Sequence, residues 1–142
     1  MQRIDWNLLA IACAEGKYLS PAQLQKILFL LQKNYHTVLG STYQFEAYYY
    51  GPFSVEVYKD AEKLEEMGLV HISRTLGGWK MFAATPQGLE RARELSKTAN
   101  PKGLEYLRKV VAWALNLSFQ DLVRAVYDAY PEMKANSIFQ AS

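Results

Sequence analysis

Leu64-Glu65-Glu66-Met67-Gly68-Leu69-Val70-His71-Ile72-Ser73-Arg74-Thr75-Leu76-Gly77-Gly78-Trp79-Lys80-Met81-Phe82-Ala83-Ala84-Thr85-Pro86 is the stretch whose reading decides the fold. Its first residues end a helix. Gly68 sits where the chain leaves through a left-handed backbone, and Leu64 and Leu69 are spaced for the apolar contact of a Schellman cap. Residues 69–75 and 79–85 then read as two strands. The Gly77-Gly78 pair between them supplies the positive φ that a tight hairpin needs. Thr85-Pro86 opens a new helix, to about Lys97, with a threonine at the cap and proline in the first turn.

Upstream, the clearest helix start is Ser20-Pro21-Ala22-Gln23. Ser20 and Gln23 suit a capping box, and Leu19 and Leu24 flank it as a hydrophobic staple. Leu24, Ile27, Leu28, Leu31 and Tyr35 keep helical spacing, and Gly40 is read as the end of that helix. A shorter helix over residues 5–15 precedes it, with Asp5 near its start and Gly16 closing it. Residues 43–50 alternate, with Phe45, Ala47 and Tyr49 on one side and Gln44, Glu46, Tyr48 and Tyr50 on the other. A strand is expected there, broken by Gly51-Pro52. Ser54 caps a third helix, with Phe53 and Tyr58 as a staple and Val57, Ala61 and Leu64 inward.

Downstream, Asn100-Pro101 opens a fifth helix with Leu104, Leu107, Val111 and Ala114 on one face. Ser118 opens a sixth with Leu122, Val123, Val126 and Tyr130 inward, stopped by Pro131. Residues 135–142 are expected to fray. The order is helix, helix, strand, helix, β-hairpin, then helices. It predicts a mainly α, α+β chain: one domain, with a winged-helix-like core over residues 1–85 and a helical extension over residues 86–142. Helices five and six add apolar length beyond a minimal winged helix. Their faces serve either a homodimer or the closure of one monomer core.

The composition points away from catalysis. The chain has 142 residues, half of them apolar and a net charge of +2, which is ordinary globular composition. Cys13 is the only cysteine, so no intrachain disulfide forms, and it reads as a buried small hydrophobe in a reducing compartment. The N-terminus lacks the basic region and cleavage site of a signal peptide. The longest apolar run, residues 8–14, falls well short of the ~20 residues that span a bilayer, so no membrane association and a cytoplasmic location are expected. His36 and His71 lie in different elements with no ligand beside them. No nucleophile–base–acid set is present, and Gly77-Gly78 is too short to cradle a phosphate. Glu62, Glu65 and Glu66 read as a solvated face beside Lys59 and Lys63. No catalytic residue, metal or cofactor is expected, and function should rest on binding.

Nucleic acid is one candidate partner. Residues 1–73 carry six basic and eight acidic side chains, residues 74–142 ten and six. A polyanion contact would therefore use the second half. Arg74 and Lys80 flank the wing tip, and Arg91, Arg93 and Lys97 follow on the next helix, so this set is the one that would track a phosphate backbone. The third helix would have to enter the major groove, yet residues 53–67 hold two lysines and five acids, which repel phosphate. A strand also replaces the short turn of a helix-turn-helix.

A protein partner is the stronger candidate. Residues 43–58 hold seven aromatics in sixteen positions, too many for one strand face. They serve either a second packed layer under helix five or six, or an aromatic partner surface, since tyrosine is enriched at interfaces. Leu24-Gln25-Lys26-Ile27-Leu28-Phe29-Leu30, Phe45-Glu46-Ala47, Tyr50-Gly51-Pro52-Phe53-Ser54 and Val57-Tyr58 resemble the Panacea (SocA-like) antitoxin domain over residues 19–60. Most of the chain resembles the related YwgA-like prokaryotic proteins, through the Tyr-Gly-Pro corner, Leu64-Glu65-Glu66-Met67-Gly68-Leu69-Val70, Thr85-Pro86-Gln87-Gly88 and Tyr127-Asp128-Ala129-Tyr130-Pro131. The resemblance implies a prokaryotic protein that binds a toxin or protease-like partner. The matching positions are Lys26, Ala47, Tyr50, Gly51, Pro52 and Tyr58. The chain departs from the Panacea pattern at Tyr48-Tyr49, where that family carries a tryptophan-like and a basic residue. The expected partner-binding set is Lys26, Tyr48, Tyr50, Gly51, Pro52 and Tyr58.

Overall fold

The computed structural model describes residues 1–39 and 42–139. Among them are six α-helices and two two-stranded antiparallel sheets, a mixed α+β architecture. The order is α1 (Arg3–Ala12), α2 (Pro21–Asn34), β1 (Glu46–Tyr48), β2 (Gly51–Phe53), α3 (Val55–Glu66), β3 (Val70–Arg74), β4 (Lys80–Ala84), α4 (Pro86–Ser96), α5 (Pro101–Leu115) and α6 (Phe119–Ala129), followed by a 3-10 turn at Pro131–Lys134.

Local capping chemistry sets the helix ends. The Ser20 hydroxyl accepts from the Gln23 amide at 3.1 Å, and the Gln23 side chain accepts from the Ser20 amide at 2.8 Å. Thr85, Asn100 and Ser118 cap α4, α5 and α6 in the same way, accepting from Gly88, Gly103 and Asp121. Each satisfies a backbone donor that the first helical turn leaves without a partner. At the end of α3 the amides of Gly68 and Leu69 donate to Glu65 and Leu64, with Gly68 at φ +78°. This is the Schellman pattern read from the sequence.

Five local expectations are corrected. α1 stops at Ala12, and the chain turns through Glu15 and Gly16, both at positive φ, rather than staying helical to Glu15. α2 stops at Asn34; Gly40 lies outside the described residues. Ser54 precedes α3 but its hydroxyl caps nothing. At the β3–β4 turn only Gly78 takes positive φ, while the Trp79 ring comes within 2.6 Å of where a Gly77 Cβ would stand. The largest change concerns residues 43–53. The expected long strand is a short one that turns at Tyr49-Tyr50 and returns along Gly51–Phe53, with Ala47 facing Pro52 and Tyr48 facing Gly51. Gly51-Pro52 is thus the second strand of a ribbon, not a break. Gly51 reaches φ +113°, which favours glycine, and proline is tolerated in a two-stranded ribbon because edge positions need no ladder donor.

One hydrophobic core joins all the helices. Trp6, Leu8 and Ile11 of α1 meet Leu24, Ile27, Leu28 and Leu31 of α2, Val57, Ala61 and Leu64 of α3, and Leu107, Val111, Leu122 and Val126 of the last two helices. α1 packs on α3 and α4, and α2 packs on α5, so the C-terminal helices share that core. The β3–β4 hairpin pairs Val70 with Ala84 through to Arg74 with Lys80. Leu19 bridges to Phe82, exchanging both hydrogen bonds and tying the hairpin to the start of α2. Among the described residues no helix is long and apolar enough to cross a membrane.

Candidate functional site

Two glutamines on α2 hold the aromatic segment. Gln25 donates to the Ser54 carbonyl and accepts from the Ser54 amide, both at 2.9 Å. Gln32 does the same with the carbonyl and amide of Tyr43, both at 2.8 Å. A primary amide presents one donor and one acceptor side by side, so each glutamine stands in for the neighbouring strand that Tyr43 and Ser54 lack. The two are seven residues apart, about 10 Å along a helix, and they grip both ends of the ribbon. Between them Phe29 meets Phe45 edge-on at 5.4 Å.

This arrangement predicts opposite outcomes at two touching residues. Gln25→Leu leaves a buried donor and acceptor of Ser54 without partners and is expected to cost about 3 kcal/mol. Among the described residues the buried Ser54 hydroxyl has no hydrogen-bond partner, so Ser54→Ala is expected to change stability by less than about 0.5 kcal/mol, although its position before α3 reads as a cap. Urea unfolding of both variants checks the pair; a costly Ser54→Ala would restore the capping role.

The ribbon, α2 and the β3–β4 turn enclose a groove of about 740 Å³. All six residues of the expected partner-binding set line it: Lys26, Tyr48, Tyr50, Gly51, Pro52 and Tyr58. Its rings form a continuous chain. Tyr48 stacks on Tyr49 at 4.3 Å and tilts against Phe53, Phe53 meets Tyr58 edge-on, and Tyr58 stacks on buried Phe82. At the other end Tyr50 meets Phe119 at 5.2 Å. Tyr48, Tyr49 and Tyr50 are 44%, 47% and 43% exposed, so the expected alternation, with Tyr49 on the Phe45 side, ends where the chain turns. Phe45 packs against the core, while the three tyrosines stay open rather than covered by α5 or α6.

At the floor lies Lys26, a lysine only 2% exposed. Its Nζ is 3.6 Å from the point where a Gly51 Cβ would stand. Among the described residues no hydrogen bond or ion pair engages it, and no carboxylate lines the groove. Burial in these apolar surroundings lowers its ammonium to about 8. Burial also raises the Tyr58 hydroxyl above its usual value, with a Gln25 hydrogen bond partly opposing.

Trp79 and Phe119 also line the groove, 57% and 46% exposed. Sequence reasoning placed them only as a strand residue and a helix residue, although two large apolar side chains beside a tight turn and a helix cap are a visible signal. The C-terminal segment, expected to fray, instead backs the ribbon as far as Phe139. Ile138 donates to the Tyr49 carbonyl at 3.0 Å, and Asn136 donates to the Ala47 carbonyl at 3.0 Å. The Tyr127 hydroxyl bonds Ser137 at 2.7 Å, and Phe139 meets Phe119 and Tyr127 edge-on. Residues 140–142 lie outside the described set.

The basic set is distributed differently. Arg74 forks onto Glu65 with two contacts of 3.2–3.3 Å, and Lys80 meets Glu62 at 3.1 Å. Arg93 pairs with Glu90 and Lys97 with Glu94, while Arg91 is exposed. Glu62 and Glu65 of α3 therefore meet the β3–β4 hairpin, and Glu56 and Asp60 meet Arg3; of the two lysines expected beside the acids, among the described residues only Lys59 pairs, with Glu56 at 3.6 Å. His36 and His71 are both exposed, and among the described residues no three of His, Cys, Asp and Glu gather as a metal site. Cys13 is half-buried, and burial holds its thiol up at about 11. No protein-family model, curated protein or solved structure matches this chain.

Proposed function

We propose that this chain is a non-enzymatic protein-interaction module, antitoxin-like or adaptor-like, with a winged-helix-like core that docks its partner in the groove above Lys26. The reading rests on one observation: Tyr48, Tyr49, Tyr50, Trp79 and Phe119, each more than 40% exposed, surround a single groove. Exposed aromatic clusters mark interaction surfaces, and tyrosine and tryptophan dominate binding hot spots. The glutamine grips and the C-terminal backing hold these rings in place before binding, which lowers the ordering cost of association. The partner class is the toxin or protease-like protein that the sequence resemblance implies. A nucleic-acid-binding regulator is the competing reading. It is less favoured because Arg74 and Lys80 already face carboxylates and α3 carries the acids.

The test is a pull-down from native lysate, nuclease-treated and run at low and high salt, with the wild-type chain and a Tyr50→Ala/Trp79→Ala variant shown to be folded. One protein partner that survives high salt and is lost by the variant is the expected result. Full retention by the folded variant would remove the groove assignment. Recovery of nucleic acid alone, released by salt and lost on Arg74→Glu/Lys80→Glu, would favour the regulator.

A further inference from the structure

Resting on the docking groove proposed above, we infer that its occupant is a segment of the partner polypeptide that seats one Asp or Glu side chain on Lys26 and lays the apolar residues flanking it on the surrounding rings. Three features of the groove carry this. First, its charge is one-sided. Lys26 is the sole charged side chain among the described residues of the lining, its ammonium has no partner among them, and an isolated buried ammonium carries a desolvation penalty that an incoming anion offsets.

Second, the charge lies low and the rings lie high. Lys26 is 2% exposed, while Tyr48, Tyr49, Tyr50 and Trp79 on the rim are 43–57% exposed. An anion must reach below the level of its neighbours, as a carboxylate side chain does when the residues on either side of it stay on the rim. The lining also takes rings from separate elements, Tyr50 with Phe119 of α6 and Trp79 beside the β3–β4 turn, so apolar residues flanking the acid have rings to lie on. Third, Gly51 keeps the ammonium reachable. A Cβ there would touch Nζ and the lysine stem at 3.6 Å, and the φ of +113° already disfavours any other residue.

The test selects a random-peptide display library, with its C-termini blocked, against the full chain. The expected winners carry one fixed Asp or Glu between apolar or aromatic residues. A synthetic winner should lose about tenfold to a hundredfold in affinity when its acid becomes the amide, and as much on Lys26→Met. Both changes together should cost no more than either alone, which separates a direct pair from general damage. Affinity should be flat from about pH 6 to pH 8 and then fall by about tenfold per pH unit as the ammonium loses its proton. The titratable groups facing Lys26 are the tyrosines of the ribbon, Tyr58 of α3 and Tyr127 of α6.

Winners that need Tyr50 but carry no acid, or that bind Lys26→Met as well as wild type, would overturn the carboxylate anchor and leave the groove reading standing. Winners obtained only from a library with exposed C-termini would overturn the side-chain source in favour of a chain end. Absence of any winner sensitive to Tyr50→Ala would overturn both readings.

Discussion

Replacing Lys26 by methionine is expected to raise folding stability at pH 7 by about 2 kcal/mol. Methionine matches the stem of lysine in length and fills the same apolar path, while the ammonium is removed. In the native chain burial lowers that ammonium from 10.5 to about 8, so folding at neutral pH must hold a charge that its surroundings disfavour. Between about pH 8 and 10.5 the unfolded chain binds more protons than the folded one, so wild-type stability rises with pH across that window. The advantage of Lys26→Met should therefore be full and constant below about pH 8, shrink from there to about 10.5 and stay small above it. Denaturant unfolding of both proteins at matched pH reads this difference directly. A variant less stable than wild type at pH 7 would mean that the ammonium already has a stabilising partner, and the argument for an incoming carboxylate would lose its basis. A residue that costs stability where it stands is the signature of a site shaped for something other than folding.

Gly88→Ala is expected to destabilise the fold by about 3 kcal/mol or more, against helix propensity, which favours alanine by about 1 kcal/mol. Gly88 lies in the first turn of α4, and a Cβ there would stand 1.9 Å from the Leu69 carbonyl oxygen and 2.9 Å from its carbon. Both obstacles are backbone, so no side chain can swing away. The helix start would have to move, and it carries three linked contacts: the Thr85 hydroxyl capping Gly88 at 3.0 Å and bonding the Gly68 carbonyl at 2.7 Å, and the Thr85 amide bonding Leu69 at 3.1 Å. The same junction anchors the β3–β4 hairpin that carries Trp79. Urea unfolding measures the loss, and a neutral or stabilised variant would show that α4 and the α3–β3 junction are not in tight contact.

The contrast between Gly88 and Ser54 shows where sequence reading succeeds. Thr85-Pro86-Gln87-Gly88 announces a helix start, and the structure has one. The local rule says nothing of the Leu69 carbonyl above Gly88. Ser54 satisfies the same rule, yet Gln25 takes over its backbone and its hydroxyl is left over. The six residues expected to bind a partner came from the sequence pattern and the family resemblance, and the structure brings all six to one groove. Trp79 and Phe119 escaped because their distance from the Tyr-Gly-Pro corner along the chain conceals their closeness in space. The basic residues of the β3–β4 hairpin were legible as composition only; that Arg74 and Lys80 would meet Glu65 and Glu62 required knowing which helix face the hairpin covers.

By itself the sequence determined the helix starts at Ser20, Thr85, Asn100 and Ser118, the inward faces, the Schellman turn at Gly68 and the β3–β4 hairpin. These are settled within a few residues, by capping atoms, by periodicity and by glycine's access to positive φ. Only the tertiary structure decided that residues 43–53 fold back as a ribbon, that its tyrosines stay open and that Lys26 lies beneath them without a counter-charge. The contacts responsible span 11 residues for Gln32 with Tyr43, 29 for Gln25 with Ser54 and 89 for Asn136 with Ala47. At such separations no local propensity acts, and the choice between strand and ribbon falls to whichever groups the folded core brings within hydrogen-bonding reach.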